Sequence, residues 1–491
     1  MAGIIDKLKH RPLSPWIVGV CAGLYPLLFY AGNNFSLVNS WGHLVFFTAV
    51  FLVLPVAIAV MGTYILKRTL GLRWVGMWLA FLGFGLFFFM LKVTLLEAPH
   101  RKITVAIVVL AAAYAYFLGH HHKKFLVLQV LMGFLALFPL AGRFVHHLSL
   151  SEDWKEIDPR VLNTQLALKP NIYLIQPDGM VNFSELNKGY YKYQDSTFKR
   201  ELEEFGFTHY PDFRSNYAST LSSNSALMMM KHHYYNFGNN FSEALDARES
   251  VVSDNHVLTI LKNNGYQTNL LSVAPYLLVN HPKLGFDRTN FDFQDIGYLS
   301  QGFNLKADVA EDLGEFMSTD RIEPQFYFIE FFNPGHIHGR KEMSLGAAQE
   351  RELWLESMQR GPDKTRELVA MIQERDPQAL ILLIADHGGF VGFDYTNQIY
   401  TKTGDRDLIY SIFSSQLSIK WPADMQPEQP INFTTSVNVF RLLFGHLGEN
   451  QMVSEDLEPD ISYVILNDVQ YKGVYEYIDQ SGAVICKKVE P

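Results

Sequence analysis

The stretch LILLIADHGGF, residues 380–390, decides the fold. Five apolar residues and Ala385 run straight into Asp386-His387-Gly388-Gly389. A short apolar run closed by turn residues reads as a buried strand. Its end offers one oxygen and one nitrogen ligand side by side. The two glycines let a ligand approach the backbone closely. A metal ion is the natural occupant.

Working outward, similar runs occupy residues 171–176, 268–273 and 325–332, with 380–385 as the fourth. Helical patterns cover 196–205, 256–264 and 347–375 between them. Strands separated by helices predict an α/β domain: a largely parallel sheet flanked by helices on both faces. Such a sheet places ligands at the carboxyl ends of its strands. Residues 461–489 read as a few antiparallel strands, with 479–482 as a turn. The sequence shows no internal repeat and no low-complexity tract.

The other strand ends carry chemistry too. NIYLIQPDGM, residues 171–180, closes on Asp178, a metal ligand or an ordinary Asp-Gly turn. RSNYASTLSSNSALMMM, residues 214–230, opens from small polar residues into an apolar helix. Ser219 or Thr220 then sits at the helix N-terminus, as a cap or as a hydroxyl nucleophile facing a phosphate. FYFIEFFNPGHIHG, residues 326–339, ends in a turn bearing His336 and His338, which read as catalytic or substrate-binding.

The chain of 491 residues is two electrostatic objects. Residues 1–150 hold 12 Lys/Arg and only Asp6 and Glu97 as acids, a net of +10, whereas residues 151–491 carry a net of −19. This excludes one uniform soluble domain, a disordered chain and a general nucleic-acid binder. Two cysteines, Cys21 and Cys486, exclude a disulfide framework and a Cys-based zinc finger.

Apolar stretches fill the basic part at residues 15–37, 41–66, 74–96, 103–118 and 125–140. A membrane helix needs about 20 apolar residues. The second and third meet that length easily; the fourth and fifth are short, so the count is five spans or four. Lys7, Lys9 and Arg11, then Lys67, Arg68 and Arg73, then His120–His122 with Lys123 and Lys124 flank one side. The positive-inside rule puts that side in the cytoplasm. Five spans then deliver everything after Arg143 to the far side, which in a bacterium is the periplasm or outer surface. No small-x-small cleavage site follows residues 15–30, so they do not read as a removed signal peptide. Val20 before Cys21 argues against a lipoprotein site and leaves a lipid-buried thiol. His120–His122 reads as a basic interfacial loop rather than a metal tract. The expected organisation is a bundle of about five transmembrane helices at 1–145 and a polar linker at 146–168. A catalytic domain at 169–450 and its small antiparallel, β-rich tail at 451–491 follow.

Taken together, the pieces resemble the alkaline phosphatase superfamily. An Asp, a Thr about 40 residues on, a later His and a final Asp-His carry the resemblance. With the apolar spans, the chain looks like the membrane-anchored, sulfatase-like branch. That branch contains lipoteichoic acid synthases and phosphoethanolamine and phosphoglycerol transferases. FKRELEEFGFT (198–208), residues 256–273 and TSVNVFRLLF (435–444) also look like segments of that family, over about residues 169–450.

The resemblance implies that Asp178, Asp386 and His387 bind one divalent metal ion, zinc or manganese, with Thr220 as ligand and nucleophile. His336 is the nearer match to the family's acid–base histidine, with His338 two residues on; His281 is a weaker candidate. The implied reaction takes a phosphoethanolamine or phosphoglycerol headgroup from a phospholipid donor. It passes the group to an envelope glycan or lipid A through a phosphothreonine. The protein is then multi-pass in a bacterial inner membrane, its catalytic domain facing the periplasm or outside. A hydrolase with the same site, or a non-catalytic membrane protein that keeps the fold, are the rival readings. A true sulfatase fits less well, because NYASTLSSN (216–224) lacks the Pro and Arg of that family's nucleophile motif.

Overall fold

The computed structural model describes residues 13–38, 40–96, 100–233, 246–318 and 322–489. Lys7, Lys9, Arg11 and Glu97 of the charge reading lie outside them. The chain divides into two compact units, Met1–Leu150 and Ser151–Pro491.

In the first unit, four apolar helical segments among the described residues are long enough to cross a bilayer: Pro15–Asn33, Trp41–Thr69, Leu72–Leu96 and Arg101–Ser149. The last spans 49 residues and is broken by a tight turn at Gly119–His121 into Arg101–Leu118 and His122–Ser149. The first half runs back along Leu72–Leu96. Thr104 meets Lys92 at 3.0 Å, and a Cβ on Gly119 would touch Ala80. The second half runs with the first helix, with Gly133 against Leu24 and Gly32 beside Arg143. The fourth and fifth apolar stretches of the sequence are therefore separate, oppositely directed helices. Small residues set the closest packing. A Cβ on Gly23 would lie 1.5 Å from the Phe51 carbonyl oxygen. The last helix continues to Ser149, past the composition boundary at residue 145.

The second unit is built on a seven-stranded sheet. Its strands are β1 (Ile172–Pro177), β2 (Thr208–His209), β3 (Gln267–Ser272), β4 (Arg288–Thr289), β5 (Gln325–Phe331), β6 (Leu380–Ile384) and β7 (Leu417–Lys420). Their order is β2-β7-β6-β1-β5-β3-β4. From β6 to β4 all neighbours pair in parallel, while β7 is antiparallel to both β6 and β2. The sheet is thus mixed at one edge. A second, antiparallel sheet follows: β8 (Ser462–Asn467), β9 (Lys472–Ile478) and β10 (Val484–Lys488).

The central strands are largely apolar because both faces are covered. Tyr173, Ile175, Tyr327, Ile329, Ile381 and Leu383 enter one core. Ile172, Leu174, Phe326, Phe328, Leu380 and Leu382 enter the other. The helical pattern at 347–375 is two helices, Ala347–Arg360 and Pro362–Arg375, because Pro362 cannot continue the first.

Residues 151–168 are no free linker. Trp154, Val161 and Leu166 are buried, and Leu166 and Leu168 donate their amides to Asn264 and the Leu447 carbonyl. Composition misreads the segment because its polar residues flank the few apolar ones that pack.

Candidate metal and phosphoryl site

β1, β5 and β6 are adjacent, so their ends meet. The Asp178 amide donates to the Phe331 carbonyl at 2.9 Å, and the Gly335 amide donates back to the Asp178 carbonyl at 2.8 Å. Gly179 has a φ of +65°, and a Cβ there would lie 2.3 Å from the Gly335 oxygen. Only glycine fits both that backbone and that contact.

Asp386 and His387 follow β6 and are buried. Asp386 Oδ1 accepts the amides of Gly179 (3.1 Å) and His387 (3.0 Å). Among the described residues its Oδ2 has no hydrogen-bond partner, and it lies 3.2 Å from His387 Nε2. His387 Nδ1 sits 2.9 Å from the Gly388 carbonyl. A carbonyl only accepts, so Nδ1 carries the proton and Nε2 presents a lone pair. Asp178 Oδ1, also unpartnered, is 3.5 Å from that Nε2, and Thr220 Oγ1 is 3.4 Å from it. The ligand atoms of Asp178, Asp386 and His387 all lie within 4.8 Å of one another.

Two carboxylates and an imidazole lone pair therefore converge, with the Thr220 hydroxyl beside them. Burial and the Asp386 charge push the Asp178 carboxyl above its ordinary range. Burial alone would lower His387, but the Asp386 and Asp178 carboxylates outweigh it and raise it. Both shifts report a pocket short of positive charge, and two orphaned buried oxygens beside an imidazole nitrogen fit a divalent cation.

Thr220 is the first residue of the helix Thr220–Met229, and Ser219 is the cap, accepting the Ser222 amide. The two hydroxyls that the sequence left open are thus separated: Ser219 turns to the helix, and Thr220 faces the cluster. The helix N-terminus favours an anion there.

The histidines divide. The His336 ring lies 5.8 Å from the His387 ring, and its Nδ1 bonds the Ile337 carbonyl. His338 pairs with the buried Glu350. His281 stacks on Tyr298 and Phe293 and bonds the Ile296 carbonyl, so its contacts lie in its own loop and not with the cluster.

Several residues around the site escaped sequence reading. Glu330, on β5, is 1% exposed, and neither carboxylate oxygen has a hydrogen-bond partner among the described residues. Burial, then the charges of Asp386 and Asp178, push its carboxyl far above the ordinary range. A lone acid inside the apolar run QFYFIEF was the available signal, because a charged side chain in a strand covered on both faces is rare. Arg248 lies over the Tyr276 ring and bonds its carbonyl. Tyr191 takes the Gly389 amide and donates to Ser411, and Trp354 donates to the Gly335 carbonyl. These two rings tie together the loops that carry His336 and His387.

No protein-family model and no curated protein matches the chain. Solved structures do. One is the C-terminal periplasmic domain of EcEptC from Escherichia coli: 11% identity, TM-score 0.43, covering 63% of this chain and 93% of that one. The same domain in complex with Zn matches at 10% identity and TM-score 0.45, covering 64% and 93%. The integral membrane lipooligosaccharide phosphoethanolamine transferase A (EptA) from Neisseria meningitidis matches at 12% identity and TM-score 0.39, covering 89% of this chain and 95% of that one.

Proposed function

We propose that the chain is a membrane-anchored, metal-dependent phosphotransferase of the alkaline phosphatase superfamily. In this reading it moves a phosphoethanolamine or phosphoglycerol headgroup from a phospholipid to an envelope glycan or lipid A. One observation carries the reading. Asp178, Thr220, Asp386 and His387, scattered over two hundred positions, present their side chains to one point.

Asp178, Asp386 and His387 would hold zinc or manganese, with the Thr220 hydroxyl beside it. The ion supplies Lewis acidity that makes that hydroxyl a nucleophile and neutralises charge on the phosphoryl oxygens. Thr220 Oγ1 attacks phosphorus, the bond to the diacylglycerol oxygen breaks, and a phosphothreonine holds the headgroup. The N-terminus of the Thr220–Met229 helix steadies its negative charge. The Asp386 carboxylate is held by two backbone amides and stays fixed while the group is transferred.

The location follows from charge and span. Basic residues at 67–73 and 120–124 mark the cytoplasmic side of five passes, which leaves residues 151–491 outside. Phospholipid headgroups are at hand there and nucleotide donors are not.

Intact-mass measurement tests the proposal. The purified full chain is incubated with vesicles of phosphatidylethanolamine or phosphatidylglycerol and zinc or manganese. A headgroup-sized gain on the native chain, absent from Thr220→Ala, is expected. An unchanged native mass with both lipids, or a gain that survives in Thr220→Ala, overturns it.

A further inference from the structure

We infer that the loop of residues 296–307 is a bilayer-docking surface: Leu299 and Phe303 enter the acyl boundary of the membrane, and Lys306 meets its phosphate layer. Such docking needs the membrane anchor of the reading above and none of its transfer chemistry.

The stretch IGYLSQGFNLKA, residues 296–307, carries no acid, although it lies between Asp295 and Asp308 in a part of the chain with a net charge of −19. The loop is braced at both ends. His281 Nε2 donates to the Ile296 carbonyl at 2.7 Å, and the His281 ring stacks on Phe293 and Tyr298. The Ala307 amide donates to the Val273 carbonyl at 3.0 Å, one residue past β3. Between these ties the Ser300 amide donates to the Gly297 carbonyl, and the Gly302 amide to Ser300 Oγ. Gly302 has a φ of +84°, and a Cβ there would lie 2.5 Å from Tyr276 Cα, so only glycine lets the loop lie this close.

This braced loop turns two large apolar side chains outward. Leu299 is 64% exposed and Phe303 is 50% exposed. Phe303 is held in place by stacking on Tyr276, with ring centroids 5.6 Å apart, and it lies 5.6 Å from the Phe332 ring. Lys306 Nζ sits 5.5 Å over Phe332 and makes no ion pair among the described residues. A groove of about 610 Å³ opens along the loop, lined by Leu299, Phe303 and the polar residues Ser300, Gln301 and Asn304. Single exposed apolar residues are ordinary. Two of them beside an unpaired lysine, on a fixed and acid-free loop, have the composition of an interfacial anchor: apolar groups for acyl chains, a cation for phosphates. A bilayer is also at hand. Only four residues separate Ser149, the end of the last apolar helix, from Trp154, which is buried and packs on His233.

The position of the loop gives docking a purpose. It is pinned at the carboxyl ends of β3 and β5, the same end of the sheet at which Asp178, Asp386 and His387 follow β1 and β6. β3 lies two strands from β1, which is about 10 Å. Phe332, the inner ring of the aromatic cluster, follows Phe331, whose carbonyl takes the Asp178 amide. Seating Leu299 and Phe303 in the bilayer therefore brings the cluster to the level of the headgroups. A phosphoester then reaches Thr220 without leaving the membrane.

Fluorescence quenching in vesicles tests the surface. In the full chain with Cys21→Ser and Cys486→Ser, a nitrobenzoxadiazole probe is attached through Leu299→Cys, Phe303→Cys or Val469→Cys. Val469 is an exposed apolar residue between β8 and β9 and serves as the comparison. The chain is reconstituted in vesicles of phosphatidylethanolamine and phosphatidylglycerol that contain a lipid with a nitroxide high on its acyl chain. At 299 and 303 the emission should shift to shorter wavelength and be quenched by the nitroxide lipid but not by iodide in the water. At 469 the reverse is expected. Lys306→Glu should return the 299 probe toward iodide; a probe that does not move overturns the part given to the lysine. Leu299→Cys removes no stacked ring, so it decides the matter even where Phe303→Cys disturbs the fold. Iodide quenching at 299 as strong as at 469 overturns the docking surface. Shielding of 299 from both quenchers, as a glycan or protein contact would give, overturns it as well. A Thr220 adduct that fails to form while the 299 probe lies in lipid counts against the transfer reading and leaves the docking surface standing.

Discussion

Glu330 shows how one side chain records the charge its surroundings lack. Its carboxyl is buried, unpartnered and close to two other acids, which hold it well above the ordinary value of 4.5. The sign of the stability effect follows. Between the unfolded value and the raised folded value, the folded chain binds more protons than the unfolded one. Stability therefore falls as pH rises through that window and is fully present below it. For protein stripped of metal with a chelator, Glu330→Gln should raise the melting temperature at pH 8 by several degrees. That corresponds to about 1–3 kcal/mol of relieved desolvation. The gap between variant and native should shrink as pH is lowered toward 5. Scanning calorimetry at both pH values checks this; a variant less stable than native at pH 8 contradicts it. Adding zinc or manganese should stabilise the native chain and not a chain with Asp178→Asn and Asp386→Asn, because only the intact pair ties binding to folding.

At the scale of the element, the site depends on where a helix starts and how two loops pack. Ser219→Ala removes the cap of Thr220–Met229 and should cost about 1 kcal/mol, yet leave a phosphothreonine detectable by intact mass. Loss of the adduct in Ser219→Ala, with metal retained, would mean the wrong hydroxyl has been assigned. Gly389→Ala places a Cβ 2.2 Å from Trp354 Nε1, so the loop carrying Asp386 and His387 must shift. Metal affinity by titration should fall about 10- to 100-fold. These same elements show what the sequence can disclose. β1, β3, β5 and β6 were legible to within a residue, because strands apolar on both faces end abruptly in polar turns. Asp178, Asp386 and His387 stood at those ends for the same reason. β2 and β4, of two residues each, are too short to show a period, and β7 buries Ser418 and so breaks the apolar run. Glu350 was illegible because its partners, His338 and Leu345, lie in the loop before its helix, whereas Glu330 was signalled only as the one acid of an otherwise apolar strand.

For the molecule as a whole, the question is where the second unit begins. The charge jump suggests a tether between residues 146 and 168, which predicts that a fragment starting at 169 folds as well as a longer one. Packing says otherwise. Trp154, Val161 and Leu166 are 7%, 1% and 4% exposed within the unit Ser151–Pro491. Burial of each is worth about 1.5–3 kcal/mol. Asn264 adds bonds to the Leu166 amide and the Thr164 carbonyl, and His256 Nε2 lies 2.8 Å from the Lys155 carbonyl. Losing these together removes several kcal/mol from a domain whose margin is about 5–15 kcal/mol. A fragment of residues 151–491 should purify as a monodisperse, cooperatively melting protein that binds one divalent ion. A fragment of residues 169–491 should aggregate or melt at least 10 °C lower, because Asn264, His256 and the helix end at Leu447 and Gly448 would lose their cover. Equal melting curves for the two fragments would show that the segment is a true linker and that its burial adds nothing to the fold.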